Sequence, residues 1–100
     1  MVQIRIIKAP SEGTRRILKH RINLQLLEPK DLLDQAGAIG LVQGSVIEMI
    51  CAADVLEKTS DVVAVDIQGN CPQKLVTLGI LGSVAAVEAA LNRLKESGDY

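Results

Sequence analysis

An α+β domain is predicted by three features of this chain. Short apolar runs with strand character stand at residues 3–8, 38–42, 62–68 and 74–81; two long segments behind Ser45 and Ser83 carry apolar residues at helical spacing; and from residue 38 the order is strand, helix, strand, strand, helix. One hundred residues make one domain, and 48% hydrophobic content supports a core. A domain this small buries a modest share of its surface, so its stability leans on association. With no Phe, no Trp and a single Tyr at position 100, packing falls to Val, Ile, Leu and Ala, which lets helices lie close on a sheet.

Residues 3–8 begin with apolar and polar positions alternating, as a half-exposed strand does, and Pro10 to Gly13 give a turn. A second short strand is expected at 14–19. Pro29 fits the first turn of a short helix over 29–35. Residues 38–42, bounded by Gly37 and Gly44, form an apolar run suited to a central strand. Ser45 with Glu48 three residues on makes a capping box, opening a helix to about Thr59 on which Val46, Met49, Ile50, Ala53, Val55 and Leu56 define a broad apolar face. Cys51 falls inside that helix and reads as a small buried core thiol. Strands over 62–68 and 74–81 leave five residues between them, a hairpin loop of ordinary length. Ser83 caps the last helix, with Val84, Val87, Ala90, Leu91 and Leu94 on one face and Gly98 ending it.

Eleven basic and twelve acidic residues give a formal net charge of −1, which argues against nucleic acid. The first residues lack the apolar stretch of a signal peptide, and no window approaches the ~20 apolar residues of a membrane helix, so a cytosolic protein is expected. Two cysteines there read as a core residue or a ligand rather than a disulfide. Arg15, Arg16, Lys19, His20 and Arg21 form a local basic cluster, read as a solvated strand edge or a source of inter-subunit ion pairs ahead of an anion-binding site. His20, the sole histidine, is assigned no role. No paired carboxylates with a basic partner, nucleophile–histidine pair or phosphate loop is recognisable, so the chain is not expected to be an enzyme. Asp61 and Asp66 read as a turn residue and an exposed strand position.

If the strand at 3–8 takes the place of the last strand of a β-α-β-β-α-β unit, the product is a ferredoxin-like antiparallel sheet with two helices on one face, its order circularly permuted. Three stretches carry a resemblance that supports this: Ala38-Ile39-Gly40-Leu41-Val42, Ala53-Asp54-Val55-Leu56-Glu57-Lys58 and Leu81-Gly82-Ser83-Val84-Ala85-Ala86-Val87. Together they resemble bacterial microcompartment shell proteins of the BMC-domain type, over residues 37–95. Ile6-Ile7-Lys8-Ala9-Pro10 is similar to that family's C-terminal tail moved to the front, which marks the permuted branch. Residues 1–36 then form a permuted strand and connector, and 37–98 the main core. Gly69, Cys71, Pro72 and Gln73 match a Gly-x-Cys-Pro-Gln pattern similar to iron–sulfur-binding shell proteins of glycyl-radical-enzyme microcompartments.

The resemblance implies a hexamer whose strand-to-strand loop, residues 69–73, lines a central pore. It also implies tiling with other shell proteins through an edge lysine at Lys58, while Ala9 replaces the usual Arg of the second edge contact. Iron–sulfur clusters take thiolates, typically four. One chain offers one candidate, Cys71, so a [4Fe-4S] cluster needs cyclic symmetry to bring several copies to one axis. Gly69 lets the backbone turn tightly, Pro72 biases Cys71 toward an extended conformation, and Asn70 and Gln73 offer N–H donors to sulfur. Read from the residues alone, the same segment is a Gly-Asn-x-Pro hairpin turn with an incidental exposed cysteine.

The function expected is a hexameric shell protein with a cluster at its pore, passing electrons or cluster components across the shell of a microcompartment that encloses a glycyl-radical enzyme. The alternatives are an open pore filtering small metabolites without a cluster, and a ferredoxin-like regulatory oligomer that binds a small molecule between subunits.

Overall fold

The computed structural model describes residues 2–69 and 75–97. Four strands, β1 (Gln3–Lys8), β2 (Ala38–Gly44), β3 (Val63–Ile67) and β4 (Val76–Gly82), form one sheet in the order β1-β2-β4-β3, antiparallel throughout. The expected α+β class and antiparallel sheet are therefore what the chain adopts. Two long helices, α3 (Val46–Thr59) and α4 (Val84–Ser97), follow β2 and β4.

The pleat sends alternate residues of each strand to opposite faces. Ala38 and Val42 of β2 and Leu78 and Ile80 of β4 form a core with Met49, Ala52 and Leu56 of α3 and with Val87, Ala90, Leu91 and Leu94 of α4. Small residues set the approach of helix to sheet. A Cβ at Gly40 would lie 3.1 Å from Leu91 Cδ1 and 3.2 Å from Ile80 Cβ, so α4 rests where a larger residue in β2 would displace it. Each Leu fully buried here contributes about 1.5–3 kcal/mol relative to exposure.

Both long helices begin as expected. Glu48 N–H donates to Ser45 Oγ at 3.2 Å and Ser45 N–H to Glu48 Oε1 at 2.9 Å, a complete capping box. Hydrogen bonding to Ser45, first its backbone N–H and then its side chain, holds the Glu48 carboxyl below its ordinary value. At α4 the Ala86 N–H donates to Ser83 Oγ at 3.1 Å.

The opposite face has a second covering layer, absent from the sequence reading. Its apolar residues, Ile39 and Leu81 with Leu41, Val65 and Ile67 beside them, meet Leu18, Ile22, Leu27, Leu33 and Ala36 from the segment between β1 and β2. This segment carries α1 (Glu12–Lys19), a 3-10 turn at Leu24–Leu26, and α2 (Leu32–Gln35). The strand expected at 14–19 is thus a helix. Ser11 accepts from Thr14 N–H at 3.1 Å, Arg15 N–H donates to Ser11 O at 3.1 Å, and Leu18 and Ile22, four apart, turn inward together. The helix expected over 29–35 covers only its last four residues, because Asp31 rather than a residue before Pro29 stands at its start; Asp31 O accepts from Asp34 and Gln35 N–H.

Cys51 is exposed, not a core thiol. At 100° per residue Met49, Ala52 and Leu56 share the buried side of α3, while Ile47, Cys51, Asp54 and Lys58 make an outer stripe. The broad apolar face is wider than the core it serves. Val46, Ile47 and Ile50 remain exposed.

Candidate functional site

Strands β3 and β4 pair through Asp66↔Leu78 and Ile67↔Thr77 at one end of the sheet. Gln68 and Gly69 follow β3, and Leu75 precedes β4. Asn70, Cys71, Pro72 and Gln73, with the expected ligand among them, lie outside the described residues. Among the described residues, no group of three or more His, Cys, Asp or Glu side chains could hold a metal ion.

The loop's entry is clasped from the N-terminal layer. Gln68 N–H donates to Arg21 O at 2.7 Å, and Arg21 Nη1 donates back to Gln68 O at 3.2 Å. This reciprocal pair ties the end of β3 to the residues just after α1, and Gly69 sits beside the Arg21 guanidinium. No sequence signal pointed to this contact, since residues 21 and 68 approach only because the N-terminal layer folds over the sheet.

That layer stops short of the hairpin end. Leu41 is partly covered, but the next residues on this face, Gln43 of β2, Thr77 of β4 and Ile67 of β3, border a cleft of about 350 Å3 with Arg21, Gln68 and Leu75. Gln43 Nε2 donates to Thr77 Oγ1 at 2.8 Å across its floor. A more open depression of about 580 Å3 adjoins it, lined by His20, Arg21, Gln68 and Gly69.

The basic cluster read from the sequence divides in the fold. Lys19 pairs with Asp34 at 2.8 Å, and Arg15 donates to Leu33 O at 2.6 Å, so both fasten α1 to α2 within the chain. His20 and Arg21 instead turn to the hairpin end. The expected strand edge does not exist, because these residues belong to α1 and the turn after it.

Lys58, the expected edge residue, stands exposed in the last turn of α3 and bonds to Asp54 at 2.9 Å, one turn back. Asp66 is exposed on β3, as expected, and Asp61 lies in the bend before it. The edge strand β3 is capped in part by side chain: Ala64 N–H donates to Glu57 Oε2 at 2.8 Å.

Comparison with known proteins follows this geometry. The BMC domain family matches residues 38–100. Two solved structures are similar over nearly the whole chain. The ligand-free structure of the GrpU microcompartment shell protein from Clostridiales bacterium 1_7_47FAA has a TM-score of 0.68 and 38% identity, covering 98% of this chain and 93% of that one. The ligand-free GrpU microcompartment shell protein from Pectobacterium wasabiae has a TM-score of 0.68 and 32% identity, covering 94% of this chain and 100% of that one. No curated protein matches the chain.

Proposed function

The chain belongs to the BMC-domain family of microcompartment shell proteins, and from that premise we propose that it forms a hexameric tile with residues 69–73 around a central pore, where Cys71 from several subunits holds an iron–sulfur cluster. Shell proteins of this family are structural, so the chain is not an enzyme, and its place is the shell of a microcompartment in the bacterial cytoplasm. The family also sets the regulator reading aside.

The observation that carries the proposal is the frame on either side of the Gly-x-Cys-Pro-Gln segment: β3 and β4 pair up to Ile67↔Thr77, and Gln68, just before the segment, is held by Arg21. A loop there can converge with its symmetry copies on one axis, which a single thiol needs before it belongs to a ligand set. Such a cluster, when bound, supplies one-electron transfer. The chain's contribution is the thiolate of Cys71, the conformational limit set by Pro72, and N–H donors from Asn70 and Gln73 toward sulfur.

A circularly permuted order fits the same picture. In support, β1 lies antiparallel beside β2, the first strand of the matched region, in register from Gln3↔Gln43 to Lys8↔Ala38. Residues 1–36 then comprise the permuted strand and connector, and 37–98 the main core. Partners in this reading are other shell proteins, met through the Lys58 edge, and an enclosed glycyl-radical enzyme system.

Iron and acid-labile sulfide per hexamer after anaerobic purification test the cluster, with Cys71→Ser as control and Cys51→Ser as the matched exposed thiol. Iron lost only in Cys71→Ser supports the reading. Equal iron in all three proteins overturns it and favours an open pore.

A further inference from the structure

We propose that the cleft at the hairpin end is a binding site for short-chain aliphatic carboxylates, with Arg21 taking the carboxylate and Ile67 and Leu75 the alkyl chain. Arg21 has no carboxylate partner among the described residues, while Lys19 has one in Asp34. Its guanidinium gives one N–H to Gln68 O and retains four others in a planar fork suited to a carboxylate. His20 borders the adjoining depression. Among the described residues, no Asp or Glu lines either space.

The remaining walls distinguish this ligand class from a bare inorganic anion. The Gln43 amide is committed to Thr77 Oγ1, which leaves the Thr77 hydroxyl hydrogen free to point at a ligand oxygen. Ile67 and Leu75, both partly exposed, give an apolar side next to the polar one. About 350 Å3 is ample for an acid of four or five carbons. The cleft exists because the N-terminal layer thins toward this end of the sheet, where Leu41, Val65 and Ile67 are only partly covered. The groups assigned to the ligand, Arg21, Thr77, Ile67 and Leu75, are separate from Cys71, so the proposal stands independently of the cluster.

Calorimetric titration of the assembled protein with sodium butyrate, acetate and phosphate, at ionic strength held constant with chloride, tests the assignment. Expected is saturable butyrate binding at one site per chain, weaker for acetate by two- to about fourfold per methylene removed, and weakest for phosphate. Arg21→Gln is expected to weaken butyrate binding about tenfold, and Lys95→Gln, a cation on α4, to leave it unchanged. Leu75→Ala is expected to shrink the preference for butyrate over acetate. Cys71→Ser is expected to bind butyrate as the parent does, which separates this site from the cluster reading. Unsaturable heats equal in parent and Arg21→Gln, or phosphate binding tighter than butyrate, would overturn the proposal. Should Arg21→Gln fail to fold, Leu75→Ala carries the test alone, and an unchanged butyrate preference in it overturns the assignment.

Discussion

The two faces of the sheet are covered in different ways. On one, two fourteen-residue helices lay buried Leu, Val, Met and Ala against β2 and β4. On the other, two short helices and a 3-10 turn bury a smaller set and end before the hairpin, exposing Gln43, Thr77 and Ile67 to a cleft. Long capped helices with continuous apolar faces suit a rigid scaffold. A layer of short pieces held by individual polar bonds leaves room beside the end of β3, and places Arg21 against Gln68 there.

The largest effect expected from this contrast is on the helical face. Leu94→Ala should destabilise the domain by about 2–5 kcal/mol, measured by urea unfolding, because it opens a cavity that α4 cannot close without losing its other contacts. Leu27→Ala, equally buried in the other layer, should act more locally. Amide exchange is expected to accelerate over residues 11–36 while β2 and β4 keep their protection. If exchange in the sheet accelerated equally, the two layers would be one cooperative unit and the distinction would fail.

Ser45→Ala removes the cap of α3 and should cost about 1 kcal/mol by the same assay. Glu48 sharpens the test through pH. Its folded carboxyl is held below its ordinary value of 4.5, so the stabilisation is present above that value and is lost as pH falls through the folded one. Melting temperature should therefore fall on acidification below about pH 4.5, less steeply in Glu48→Gln.

On the second face Arg15→Ala should cost about 1 kcal/mol through its bond to Leu33 O. Arg16→Ala, exposed on the same helix, should change stability by less than about 0.5 kcal/mol. A cost for Arg16 as large as that for Arg15 would mean that net positive charge, not the specific bond, fastens α1. The smallest effect is expected at Ala9, which sits at φ 47° where β1 turns toward α1. Ala9→Gly relieves left-handed strain but adds unfolded-state entropy, so its melting temperature should stay close to the parent's, within about 0.5 kcal/mol.

Strand and helix were legible where a local pattern repeated long enough. The Ser45–Glu48 box, the Ser83 cap and the alternating run at 3–8 each contain their own stop, start and period, and all three elements stand within a residue or two of expectation. The helix α1 was missed because Pro10 to Gly13 read as a turn, which hid Ser11 as a cap, and because its buried pair, Leu18 and Ile22, straddles the helix end. Cys51 was misplaced for another reason. The first half of α3 is apolar nearly all round, and composition cannot say which side of such a helix meets a sheet.

Local chemistry alone determined that this chain is α+β, where its two long helices begin, and that a strand stands on each side of residues 69–73, because caps, turns and periodicity act between residues a few positions apart. The tertiary structure decided the pairing of β1 with β2, the burial of the second face by residues 18–36, the exposure of Cys51 and the meeting of Arg21 with Gln68. Those contacts join residues up to 47 positions apart, and no local preference encodes them. They follow from which apolar surfaces remain uncovered once the strands have paired.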